Sequence, residues 1–275
     1  MGDDAGKPTT QVKRLDLLPV NDSFYFEYTY DDNGNITSVY DGSHTTTYTY
    51  DSANQLVREN NQAANKTWVW TYNDAGNILS RKEYAYATGT LGTVQSTVNY
   101  TYDGTWGDLL TGWNGKTITS DTIGNMTSDG TWSYSWEHGR ELASMSKSGA
   151  TWSFTYDADG MRTKRTNGST TYNYVYNGGS LVKMTVGSNT LHFAYEASGR
   201  PLAVIYNGTR YHYVTNLQGD VVQIRQGTTP VVNDTYDALQ RCFSACMAAE
   251  NIRVNLEKLP LCGLRTTQGQ FLLFR

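Results

Sequence analysis

The chain has 275 residues, enough for one large or two ordinary domains with a sizeable buried core. Only 17% of residues are charged, while 26 are Gly and aromatics reach 13% with 21 Tyr, a composition that is neither disordered nor helical. Acidic residues exceed basic ones by 26 to 22, and the net charge of -4 leaves no footprint for a phosphate backbone, which argues against nucleic acid as a partner.

Residues 1–23 contain Pro8 and Pro19 and no repeated motif, and read as a linker or part of a preceding repeat. The start, Met1-Gly-Asp-Asp-Ala-Gly-Lys7, lacks the basic-then-apolar order of a signal peptide. No stretch approaches the roughly 20 apolar residues that span a bilayer, so no membrane span is expected.

From Tyr30 a motif recurs. Tyr30-Asp31-Asp-Asn-Gly34-Asn35-Ile36 returns as Tyr50-Asp51-Ser-Ala-Asn-Gln-Leu56, as Tyr72-Asn-Asp-Ala-Gly76-Asn77-Ile78 and as Tyr156-Asp157-Ala-Asp-Gly160-Met-Arg162. Weaker copies are Tyr102-Asp103-Gly, Asp121-Thr-Ile-Gly124-Asn125-Met126, Trp136-Glu-His-Gly-Arg-Glu-Leu142, Tyr176-Asn-Gly-Gly-Ser-Leu181, Tyr195-Glu-Ala-Ser-Gly199-Arg200, Asn216-Leu-Gln-Gly219-Asp220-Val221 and Tyr236-Asp237-Ala238. Each copy predicts a β-hairpin. Pairs such as Tyr28-Thr-Tyr30, Tyr48-Thr-Tyr50, Phe154-Thr-Tyr156 and Tyr174-Val-Tyr176 put two rings on one face of a strand and a β-former on the other. The Asp accepts turn hydrogen bonds, the Gly takes positive φ, and an apolar residue opens the returning strand. A lone two-stranded hairpin is marginal in water, so the hairpins must pack on one another, and residues 24–238 read as one continuous all-β array with a period near twenty.

Residues 239–275 break the pattern. They contain no Tyr or Trp, they carry all three cysteines (Cys242, Cys246 and Cys262), and their charge turns basic. The lack of Cys before them rules out a disulfide framework for the array and leaves the compartment open.

The Tyr-Asp-x-x-Gly-Asn-Ile/Leu pattern at this spacing resembles the YD repeat of the Rhs family, which includes bacterial wall-associated proteins, insecticidal toxin-complex C components and animal teneurins. Tyr211-His-Tyr-Val-Thr-Asn-Leu-Gln-Gly219-Asp220-Val-Val222 resembles the segment leading into the Rhs-associated core. The resemblance implies an array of hairpins forming part of a spiral shell. In bacterial members such a shell encloses a C-terminal toxin that a self-cleaving aspartyl protease element in the core sets free. It further implies, as partners, the rest of the shell and that toxin, and an extracellular or cell-surface location for the parent protein. The core's Arg-Tyr-x-Gly-Tyr and Asp-Pro-x-Gly motifs are not found after Ala238, so no protease residue can be assigned, and a chain of this length is a piece of wall. Leu259-Pro-Leu-Cys-Gly-Leu-Arg265 and Gly269-Gln-Phe-Leu-Leu-Phe-Arg275 can be back-translated so that a neighbouring frame reads Pro-Tyr-Ala-Gly-Tyr and Ser-Ser-Tyr-Tyr-Leu, which gives the expectation of a frameshift after Ala238.

Other candidate sites compete with structural roles. The turn carboxylates Asp31, Asp51, Asp103, Asp157 and Asp237 could be catalytic or calcium ligands, but the position eleven after Asp157 is Gly168 rather than a distal Glu, and turn chemistry explains them. His192 and His212 lie one period apart with Glu196 and Arg210 nearby, a pair too small to define a metal site. Trp68, Trp70, Trp106, Trp113, Trp132 and Trp152 would stack on cell-surface glycans if exposed in rows, or pack between hairpins if not. No nucleophile elbow, phosphate loop or metalloprotease helix occurs. The expectation is a non-catalytic structural module without metal or cofactor, with a carbohydrate-binding adhesin module as the alternative and a glycosidase as a third reading.

Overall fold

Alternating ring and hydroxyl residues become strand along the array, because each strand can then bury one face and solvate the other. The computed structural model describes residues 10–14, 25–105, 107–216, 221–236 and 242–247, and every regular element among them is a β-strand. The strands form open sheets of ten and fourteen members in which spatial order is chain order. The expectations for Trp106, Gly219, Asp220 and Asp237, and for nearly all of the tail, lie outside the described residues.

Two compact units share these strands. In the first (Met1–Thr71, Arg81–Ser96 and His212–Arg275), the strands Thr10–Arg14, Tyr25–Tyr30, Ile36–Tyr40, Thr45–Tyr50 and Leu56–Asn61 pair successively, each antiparallel to the next. Val221–Gln226, Thr229–Tyr236 and Cys242–Met247 continue the same way. One strand thus lies within residues 1–23 and one beyond Ala238. Tyr28, Trp68 and Trp70 are among the most deeply buried side chains of this unit.

The second unit (Tyr72–Ser80 and Thr97–Tyr211) holds the longest run of hairpins, from Ser133–Glu137 through Glu141–Lys147, Ala150–Tyr156, Arg162–Thr166, Thr171–Asn177, Ser180–Val186 and Asn189–Tyr195 to Pro201–Tyr206. Its two faces are sorted as the alternation demands. Tyr172, Met184, Leu191 and Val204 are buried, whereas Val175, one residue out of phase, is 51% exposed. On the solvated face the register sets polar side chains, nearly all of them small, in rows: Ser135, Ser144, Ser153, Thr166 and Thr171 cross five strands, and Thr155, Lys164, Asn173, Thr185 and Thr190 follow beside them.

The repeat also bends its strands at a fixed place. The register shifts by one residue just before the motif ring, between Thr29 and Tyr30, Thr49 and Tyr50, Thr155 and Tyr156, Val175 and Tyr176, and Ala194 and Tyr195. Tyr30 faces Ile36 and Thr29 faces Ser38, so Thr37 stands unopposed as a β-bulge.

A side chain on the neighbouring strand crowds one glycine that the motif does not predict. A Cβ on Gly112 would lie 2.3 Å from Thr101 Oγ1 on the neighbouring strand. Gly112→Ala is expected to lower unfolding free energy by about 1–3 kcal/mol in urea melts, and Thr101→Ala added to it should recover most of the loss.

Candidate functional site

The residues that recur with the period meet at one kind of place, the junction between consecutive hairpins. It begins with the turn. Asp31 N donates to Asn35 O and Gly34 N to Asp31 O, both at 3.0 Å, with Gly34 at φ 83°. The carboxylate closes the loop: Oδ1 accepts from the backbone N of Asn33 and Asn35, and Oδ2 from Asn35 Nδ2. Asp51, Asp121 and Asp157 accept the equivalent pair of backbone N–H groups, and Asn73 does so with its amide oxygen. The copy beginning at Asp51 lacks Gly, and Asn54 takes its place at φ 60°. The weak copy at Tyr195 keeps the backbone pattern, Glu196 N to Arg200 O and Gly199 N to Glu196 O. The copy at Tyr176 departs from it: Asn177 pairs with Ser180, and Gly178 and Gly179 both have positive φ, which makes a two-residue turn.

Two side chains then leave the turn in opposite directions. The motif ring reaches back. Tyr50 OH donates to Ile36 O at 2.9 Å, Tyr156 to Leu142 O, Tyr176 to Arg162 O, Tyr195 to Leu181 O and Tyr102 to Ile78 O. In each case the acceptor is the first or second residue of the returning strand of the preceding copy, and Trp136 does the same with its indole N–H to Met126 O at 2.7 Å. The motif Asn reaches forward. Asn35 Nδ2 donates to Asn54 Oδ1 in the next turn, Asn77 Nδ2 to Gly107 O and Asn125 Nδ2 to Gly139 O. These acceptors belong to the positive-φ residue of the following turn. The recurrence itself marked these residues. Their direction of contact could not be read from it, because a ring at a strand end is equally suited to burial alone.

Electrostatics fit turn chemistry. The Asn35 side chain, aided by backbone N–H groups and opposed by partial burial, holds the Asp31 carboxyl below the usual carboxylate range. At Asp121, burial pushes upward, but the Asn125 amide and backbone N–H groups outweigh it. Burial pushes the hydroxyls of Tyr50, Tyr102, Tyr176 and Tyr195 up, which keeps them protonated as donors. Both Asp31 oxygens accept N–H groups of their own loop.

Features outside the motif stand as follows. Among the described residues no group of three or more His, Cys, Asp and Glu comes together. His192 faces Lys183 and Ile205, and His212 faces Arg225. The described tryptophans do not form exposed rows: Trp68, Trp70 and Trp113 are buried, and Trp132, Trp136 and Trp152 are half-buried. Several carry cations on their faces. Lys147 Nζ lies 4.6 Å from the Trp132 ring, and Arg165, 5% exposed, lies 4.1 Å from Tyr172 and 5.4 Å from Trp152. For these rings the contacts are those of packing, the second of the two roles that the sequence leaves open.

A polar cluster on Leu56–Asn61 was not foreseen. Glu59 is fully buried and accepts from Asn61 Nδ2, while Arg58 bonds Asn60 Oδ1 and the carbonyls of Ala87 and Gly89. Glu83 accepts from Trp68 Nε1 and pairs with Lys66 at 2.7 Å; burial raises its carboxyl, but these two donors outweigh burial and hold it low. The run Arg58-Glu-Asn-Asn61 breaks strand alternation, which was the available signal. The cluster ties down the ten-residue connection 86–95 between Ile78–Ala85 and Ser96–Tyr102, whose backbone would otherwise lie over the sheet without partners.

Comparisons with known proteins agree with this geometry. The RHS Repeat family profile matches residues 30–61. A tRNA3(Ser)-specific nuclease WapA of Bacillus spizizenii is 33% identical over 182 residues, 64% of this chain and 7% of that protein. The tRNA nuclease WapA of Bacillus subtilis is 32% identical over 197 residues, 69% and 8% respectively. The chain therefore spans less than a tenth of the length of these relatives. A crystal structure of TcdB2-TccC3 without its hypervariable C-terminal region superposes over 83% of this chain and 14% of that one with a TM-score of 0.61 at 15% identity, a likeness of fold.

The lowered carboxyls of Asp31 and Asp121 set a pH dependence. Their contribution to stability is complete above the unfolded carboxylate value of 3.8 and is lost as pH falls through the lower folded value. Asp121→Asn keeps the acceptor oxygen, as Asn73 does, but cannot titrate. Urea midpoints measured from pH 6 to pH 2.5 should fall less steeply for Asp121→Asn than for the unsubstituted protein.

Proposed function

Because the chain belongs to the Rhs repeat family, we propose that it is a non-catalytic wall segment of a longer secreted or cell-surface protein, one that encloses or presents a C-terminal toxin. The observation that carries this reading is the junction: the recurring residues are spent on joining one hairpin to the next, which is the task of a wall. The WapA relatives are named as tRNA nucleases, and this chain corresponds to less than a tenth of each, so that activity is not assigned to it. Its partners are the remaining repeats and the client they surround.

The rows of Ser, Thr and Asn on the solvated face give the wall a surface that meets a client through hydroxyls and water. Such a surface offers no dry apolar patch on which a protein could lodge. Containment would then not depend on the client's sequence. No observation favours the adhesin reading, since the described tryptophans are engaged in packing.

The test is made in the full-length parent protein. Deleting residues 133–206, a whole number of hairpins, should leave secretion intact and expose the C-terminal portion to added protease. Unchanged protease resistance would contradict the wall reading. Retention of the isolated chain on a peptidoglycan column, or turnover of a glycan by it, would favour the adhesin or glycosidase instead.

A further inference from the structure

The ladder is interrupted once inside the second unit. Lys116–Thr117 and Thr119–Ser120 are strands of two residues each, separated by Ile118. The first pair faces back, to Trp113 and Gly112; the second faces forward, to Ser128 and Met126. The ten-stranded sheet ends on the one and the fourteen-stranded sheet begins on the other. Each half is therefore laddered on one side only.

The repeat explains the break. Ile118 N donates to Thr111 O, which continues the register of Lys116 with Trp113 and brings residue 119 opposite Leu110. Leu110 opens a returning strand and lies across from Tyr102, as Ile36 lies across from Tyr30. Residue 120 thus occupies, relative to Leu110, the place that Tyr50 occupies relative to Ile36. The residue there is Ser120, which follows Thr119 and precedes the motif aspartate Asp121. A serine hydroxyl sits on Cβ and cannot span the distance that a phenol spans. A ring at this separation in sequence would be in range, since Trp136 reaches Met126 across ten residues.

We infer that residues 116–120 are a seam built into the wall, the place where the ladder parts first, because position 120 carries no ring to tie it to the preceding copy. Absence of the ring is not sufficient alone. Thr215 also stands at a motif position without a ring, but it closes the seven-residue strand Thr209–Thr215, whose ladder with Val221–Gln226 is intact. At 116–120 the short strands and the missing tie coincide. Besides the bond from Ile118 N to Thr111 O, what holds the seam is side-chain contact: Ile118 is 4% exposed, and Lys116 lies 5.9 Å from the Trp113 ring and donates to Thr131 Oγ1. Local openings of this kind cost less than global unfolding, since few backbone bonds are lost. In the wall reading, on which only its biological meaning rests, the seam is where a client would find an exit.

Hydrogen exchange followed by mass spectrometry on the full chain tests the seam without reference to any client. Amides of residues 110–130 should exchange through a local opening ahead of those in residues 141–166. Ser120→Tyr should slow exchange over 110–130 roughly fivefold, the effect of one neutral hydrogen bond, while Ser120→Phe, which adds the ring without the donor, should give less than half of that gain. Protection over 110–130 equal to that of 141–166 in the unsubstituted chain would overturn the inference, as would Ser120→Phe protecting as well as Ser120→Tyr. If Ser120→Tyr does not fold, the unsubstituted comparison decides the matter alone.

Discussion

A tyrosine hydroxyl donating to a backbone carbonyl of the preceding hairpin is the interaction on which the rest of this structure depends. A hairpin of about twenty residues cannot bury enough apolar surface to be stable by itself. It must borrow a face from its neighbour, and the borrowed face must be in register. Packing of rings is non-directional, so register comes from the backbone ladder between one hairpin and the next and from directional side-chain bonds at its ends. The phenol O–H and the indole N–H of Trp136 supply direction, since each ends on one named carbonyl. The motif asparagine does the same from the turn, reaching forward where the ring reaches back.

This arrangement explains why the repeat is spelled as it is. The aspartate is occupied with its own loop, and its lowered carboxyl reflects the N–H groups it accepts. The bulge just before the ring places one extra residue in the returning strand, which bends that strand at the same place in each copy. The opposite face is left to Ser, Thr and Asn, which ask nothing of a neighbour beyond water.

Much of the fold was legible because it is periodic. Tyr28-Thr-Tyr30 and its counterparts announced strands, and Asp31 with Gly34 announced the turn. The junction was legible only as a set of recurring letters, since nothing in Tyr50 or Asn35 states which atom each will meet. Local departures were harder. Tyr176-Asn-Gly-Gly looks like a damaged copy of the motif and is instead a two-residue turn, because two adjacent glycines permit the tighter path. Tryptophans at strand spacing suit sugar binding and packing alike, and the burial of Trp68, Trp70 and Trp113 and the cations on Trp132 and Trp152 become visible only in the structure. The buried Glu59 had no precedent in the pattern, and its role became visible once Arg58 was seen to hold the carbonyls of residues 87 and 89.

The central claim is that ring hydroxyls couple successive hairpins. It is tested most directly by removing the hydroxyls of Tyr156, Tyr176 and Tyr195 together, as a triple Tyr→Phe variant, and comparing calorimetric with van't Hoff enthalpies of unfolding. The rings and their burial are retained, so only the directional bonds are lost. The expected result is a lower midpoint and a calorimetric enthalpy that exceeds the van't Hoff value by more than it does in the unsubstituted chain, the sign of hairpins unfolding out of step. An unchanged midpoint with the same enthalpy ratio would contradict this and assign the coupling to ring packing and the backbone ladder.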